Sequence, residues 1–196
     1  MGELVAQPRR DVRDRLGLRA LAQANDKRLR YRIIGDGPLR KDWEDLTEAL
    51  GLSGIVNFRG AQPLDRVAES MRACHVFCLP SVRESGGAVL LEAMASGRPV
   101  IALDFGGPAD IVDGHVGALL PMTDPEQVIT ALTKTLASIE TQPEHWAECG
   151  MTGRERVETT YTWPAKILRS RESRRSPERL PNASMVRIRG SLPWLR

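Results

Sequence analysis

The chain has 196 residues, 41% of them hydrophobic, and a formal net charge of +3. That length suits one domain with tails, with enough apolar residues for a core. From Arg169 to Arg196 eight arginines face two acids, so this tail carries +6, residues 1–168 sum to −3, and the body lacks the charge expected of a nucleic-acid binder.

Residues 1–28 read as an atypical N-terminal segment containing a helix. Arg30 to Ile34 is a short β-branched and aromatic run, a strand, closed by Gly35-Asp36-Gly37-Pro38. Leu39, Trp43, Leu46 and Leu50 then recur at helical spacing, and Gly51 stops that helix. Ile55 to Phe58 is the next strand, ended by Gly60. Pro63 opens a helix with Leu64, Val67 and Met71 on one face. His75 to Leu79 reads as a buried strand, and Ala88 to Ser96 as a helix closed by Gly97. Pro99 to Leu103 is another buried strand, Gly106-Gly107-Pro108 a turn, and Val116 to Leu120 a last strand. Asp124-Pro125-Glu126-Gln127 is a helix start, followed by Val128, Ile129, Leu132, Leu136 and Ile139 at helical spacing. Helices are expected from about Pro143 to Thr160 and near Trp163 to Leu168. Beyond them the arginine run and Pro177, Pro181 and Pro193 predict a disordered basic tail over 169–196.

Strands that alternate with helices, and are apolar throughout, predict an α/β fold: a parallel sheet with helices on both faces. Ligands of such sheets bind at the carboxyl ends of the strands. The glycine-rich turns Gly35–Pro38, Phe58–Gly60, Ser81–Gly87 and Asp104–Pro108 all fall there, although glycine also simply makes tight turns. No stretch of 18 apolar residues occurs, and the start of the chain is polar and arginine-rich, so neither a membrane span nor a signal peptide is expected. The odd set Cys74, Cys78 and Cys149 suits core packing in a reduced, cytoplasmic protein. His75 and His115 stand singly and are expected to be structural.

The densest chemistry is Glu84-Ser85-Gly86-Gly87-Ala88-Val89-Leu90-Leu91-Glu92. A strand, a glycine turn and a helix place a helix N-terminus at the sheet edge, where free N–H groups and the helix dipole attract an anion. The flanking carboxylates would repel a phosphate and suit hydroxyls instead. An anion between two polyols describes a nucleotide-diphosphate sugar. An ordinary surface loop with a solvated Glu92 is the competing reading.

Ile34-Gly35-Asp36-Gly37-Pro38-Leu39, Val56-Asn57-Phe58-Arg59-Gly60, Leu79-Pro80-Ser81, Glu84-Ser85-Gly86-Gly87, Leu91-Glu92-Ala93-Met94-Ala95-Ser96-Gly97-Arg98-Pro99-Val100-Ile101-Ala102 and Gly106-Gly107-Pro108-Ala109-Asp110-Ile111-Val112 follow one another in fixed order. Together they resemble the C-terminal, donor-binding domain of a retaining GT-B glycosyltransferase of the large bacterial group 1 or family 4 type. The resemblance implies a single Rossmann-like domain over 29–168 and hexosyl transfer from a nucleotide-diphosphate sugar to a glycan or lipid-linked acceptor. Glu84 would be catalytic, contacting the donor sugar. Ser85, Gly86, Gly87, Glu92, Gly35, Gly37, Phe58 and Arg59 would bind the donor, with Glu92 on the ribose diol. No metal and no cofactor is implied.

The family's Gly-Arg-Leu phosphate clamp has Gly2-Glu3-Leu4-Val5 in its place, with Glu for Arg and no Lys-Gly after it; Arg9 and Arg10 are candidate substitutes at a different spacing. Expected partners are the nucleotide sugar and a separately encoded N-terminal acceptor domain, with peripheral contact to the inner membrane face as a further candidate and no nucleic acid. The alternative is a catalytically incompetent nucleotide-sugar-binding fragment that needs that other domain.

Overall fold

The structure, a computed structural model, describes residues 3–6, 14–81, 86–122 and 124–162. The expected helix near Trp163 and the basic tail lie outside them. Within them a six-stranded parallel sheet runs in the order β3-β2-β1-β4-β5-β6. The strands are β1 Glu3–Ala6, β2 Arg30–Ile33, β3 Val56–Phe58, β4 Val76–Leu79, β5 Val100–Leu103 and β6 Gly117–Leu120. The helices are α1 Asp14–Ala24, α2 Arg40–Ala49, α3 Leu64–Ala73, α4 Ala88–Ala95, α5 Gly107–Ile111, α6 Pro125–Thr141 and α7 Pro143–Arg156, and a π-helical turn, Val157–Tyr161, continues the last.

The two-residue period of a strand explains the layers. In β4, Val76 and Cys78 enter one apolar cluster and Phe77 and Leu79 the other. In β5, Ile101 and Leu103 go one way and Val100 and Ala102 the other. Every residue of both strands is buried, as central parallel strands require. The first cluster is roofed by α1, α2 and α6 through Leu18, Leu21, Trp43, Leu132 and Leu136. The second is roofed by α3 and α4 through Val67, Met71, Leu90 and Met94, with Val157 and Tyr161 of the π-helical turn packed against it. Cys74, Cys78 and Cys149 are all buried and not disulfide-bonded, and burial pushes the Cys149 thiol up, away from reactivity.

Two elements differ from expectation. The sheet reaches into the segment set apart at 1–28. Leu4 pairs with Tyr31 on one side and Val76 on the other, so β1 is a central strand. Four residues of mixed polarity carry no strand signal of their own; their state is decided by two neighbours supplied from further along the chain. At Gly107 the turn runs on into the short helix α5, with Pro108 in its first turn.

Candidate functional site

In a parallel sheet every β-to-α connection opens on one edge. Here that edge gathers the loops after β2, β3, β4 and β5. The strand order turns back between β1 and β4, and the crevice at such a reversal is where doubly wound sheets take ligands. Helix α4 begins there.

Gly87 is the N-cap of α4, with φ 63° and ψ 17°, the left-handed region that only glycine enters at little cost. Its surroundings close the other options. A Cβ added there would come within 2.5 Å of Ile111 Cδ1 and 3.7 Å of the Gly107 carbonyl carbon. The chain thus presses the start of α4 against the start of α5. Gly87, having no side chain, makes no side-chain cap of α4. Gly86 beside it is exposed and Gly87 buried. Gly106, the N-cap of α5, adopts φ 61° and ψ −142°, and carries the neighbouring loop past the same place. Its turn was legible as Gly106-Gly107-Pro108, but its adjacency to Gly87 was not.

Glu92 lies five residues into α4, roughly 7.5 Å along the axis from Gly87. Val89, Leu90, Ala93 and Met94 turn into the core, which leaves Glu92 and Ala88 exposed on one stripe. Helical side chains lean toward the N-terminus, so this stripe runs from Glu92 past the small Ala88 toward the sheet edge. Glu84 and Ser85 lie outside the described residues.

The remaining expected residues form a second group, on the far side of β1. The Gly35 N–H donates to the Gly60 carbonyl at 2.8 Å, an antiparallel bridge that ties the loop after β2 to the loop after β3. The Gly37 N–H donates to Asp36 Oδ1 at 2.8 Å. Phe58 is half-buried at the end of β3, and the Arg59 N–H donates to the Ile33 carbonyl at 2.8 Å. The structure therefore places Gly35, Gly37, Phe58 and Arg59 on two loops that are tied together through Gly35–Gly60 and Ile33–Arg59. From β4 to β2 is two strand spacings, roughly 10 Å, so the two groups border one edge without touching.

Arg40 escaped the sequence reading. It is held by Glu44 at 2.8 Å, and its Nη1 would lie 3.1 Å from a Cβ placed on Gly60. It sets a cation beside the bridge. Its signal in the sequence was only its place in the first turn after Pro38. Arg59 also differs from expectation: its backbone belongs to the edge, but its side chain lines a separate hollow with Arg32 and Arg66. Among the described residues no three His, Cys, Asp or Glu side chains converge as a metal site would require.

The strand order, the reversal beside α4 and the glycine start of that helix define a doubly wound α/β domain. The chain belongs to the family of glycosyl transferases group 1, whose pattern matches residues 15–156. It is 33% identical over 171 residues to sulfoquinovosyl transferase SQD2 of Arabidopsis thaliana, covering 85% of this chain and 32% of that protein. It is 39% identical over 110 residues to D-inositol 3-phosphate glycosyltransferase of Streptomyces bingchenggensis, covering 51% of this chain and 24% of that one. The chain thus spans about a quarter to a third of the length of these relatives. Its fold superposes on HepE of Anabaena in complex with UDP and glucose with a TM-score of 0.72 at 20% identity, over 88% of this chain and 48% of that one. The architecture is that of one Rossmann-like half of a GT-B glycosyltransferase. Among the described residues no helix is long and apolar enough to cross a membrane.

Proposed function

We propose that this chain binds the nucleotide-diphosphate sugar of a retaining hexosyltransferase, with the diphosphate over the start of α4. The single observation that carries the reading is the glycine-built start of α4 at the strand-order reversal, with exposed Glu92 on the stripe above it. The amides of the first turn and the helix dipole meet the negative charge of the leaving diphosphate. Glu92 accepts hydrogen bonds from the ribose diol, and Glu84, with the Ser85 and Gly86 backbone, orients the hexose. The loops bridged through Gly35 and Gly60, together with Gly37 and Phe58, border the nucleoside end. The donor binds without a protein-bound metal. A second Rossmann-like domain holds a glycan or lipid-linked acceptor at the cytoplasmic membrane face and completes transfer. The likeness to a fold that in Anabaena HepE holds UDP and glucose supports a uridine diphosphate sugar.

Isothermal titration of the chain with uridine diphosphate tests this. Loss of a carboxylate that accepts from ligand hydroxyls is worth about 1.5–3 kcal/mol, so Glu92→Ala should weaken binding roughly ten- to hundredfold. Failure of the parent chain to bind any nucleoside diphosphate would overturn the reading.

A further inference from the structure

Between β2, the loop after β3 and α3 lies a hollow of about 280 Å³ lined by Arg32, Arg59, Gln62, Arg66, Glu69 and Ser70. Three elements build it. In β2, Tyr31 and Ile33 enter the apolar cluster under α1 and α2, so Arg32 must point to the opposite face, the one α3 covers. In α3, Val67 and Met71 pack into the core, which leaves Arg66, Glu69 and Ser70 together on the flank at helical spacing. The loop between β3 and α3 supplies Arg59 and Gln62, and the Gln62 amide donates to the Arg59 carbonyl at 2.7 Å, which fixes the loop.

Three arginines line one opening. In a body whose charge sums to −3, their convergence is not a general basic surface. Among the described lining residues the carboxylate is Glu69, which pairs with Arg66 at 2.8 Å. Planar guanidinium forks match phosphoryl oxygens two at a time, and the Ser70 hydroxyl and Gln62 amide add neutral groups for hydroxyls. The hollow has room for a phosphoryl group with a small polyol attached. We propose that this hollow is a binding site for the phosphoryl group of a small phosphorylated polyol, separate from the donor site at α4. The same chemistry could be delivered as a free phosphate ester or as a glycerophosphate lipid headgroup. The inference goes beyond the proposed function and does not depend on it.

The full chain is titrated with glycerol 3-phosphate in a phosphate-free buffer. Saturable binding is expected. Each charge-assisted contact contributes about tenfold, so the double variant Arg59→Gln, Arg66→Gln should bind roughly a hundredfold more weakly. Glu69→Gln removes the competing carboxylate and should tighten binding several-fold, a gain that a misfolded protein cannot show. Saturating uridine diphosphate should leave the glycerol 3-phosphate affinity unchanged; displacement would overturn a separate site. Equal binding by the parent and the double variant, or none by the parent to either ester or lipid, would also overturn it. Sedimentation with phosphatidylglycerol vesicles over phosphatidylcholine vesicles, lost in the double variant while the free ester does not bind, supports the phosphoryl site with lipid as its source. Failure of uridine diphosphate to bind, with glycerol 3-phosphate still binding through the arginines, would remove the donor reading and leave this one standing.

Discussion

Gly87 carries two constraints at once. Its positive φ is costly for any other residue, and its missing Cβ leaves the space that Ile111 Cδ1 occupies. Gly87→Ala should therefore lose about 1–2 kcal/mol from the left-handed backbone, with more from the displaced isoleucine. Urea denaturation measures the first loss, and nucleoside diphosphate titration should show weaker binding as α4 moves off α5. Glu92 is the opposite case: exposed and held in place by no core contact, it can be changed with little effect on stability. A stability cost for Glu92→Ala as large as that for Gly87→Ala would mean that Glu92 is a structural residue.

Among the elements, the two ends of α1 and α6 show how surface polar groups lock a layer. Asp124 caps α6 by accepting from the Glu126 and Gln127 amides, both at 3.1 Å. Asp124→Ala should cost about 1 kcal/mol, read as a lower thermal midpoint with unchanged folded-state circular dichroism. Asp26, in the turn between α1 and β2, accepts from the Arg28 side chain at 2.9 and 3.0 Å and from its backbone N–H at 2.9 Å, while Arg28 also pairs with Glu140 of α6. The Arg28 side-chain hydrogen bonds, then its backbone one, hold the Asp26 carboxyl down at about 2. A carboxyl lowered in the folded state stabilises the fold above its ordinary value of 3.8, and that contribution is lost as pH falls toward about 2. Denaturation followed across that window should show a smaller acid loss in Asp26→Asn than in the parent. Arg28 is largely exposed and Asp26 only half-buried, so solvent screening keeps the effect modest.

For the whole molecule, one sheet feeds both apolar clusters, so neither layer stands without the other. Phe77 is fully buried in the cluster under α3 and α4, and Phe77→Ala should cost about 3–5 kcal/mol. Hydrogen exchange then distinguishes one cooperative unit from two. Protection of the α1 and α6 amides, on the opposite face, should fall by the same amount as that of α4. Undiminished protection in α1 and α6 would show that the layers open independently. Leu64 and Phe105 are exposed apolar residues at the edge where the strands end, one at the start of α3 and one in the loop after β5. A second domain facing that edge would cover them.

The alternation of apolar runs with 3.6-residue patterns already determined five of the six strands, the major helices and the parallel sheet covered on both faces. Those signals are local, since burial on both sides of a strand demands an unbroken apolar run wherever its neighbours come from. The start of α4 was legible for the same reason: glycine, helix and carboxylate are spaced along one short stretch. Only the tertiary structure decided that Glu3–Ala6 is a central strand, that Gly107 and Ile111 close on Gly87, and that Arg32, Arg59 and Arg66 meet around one hollow. Each of these depends on segments far apart in the chain, and whether they meet is settled by strand order and register, which no single segment carries.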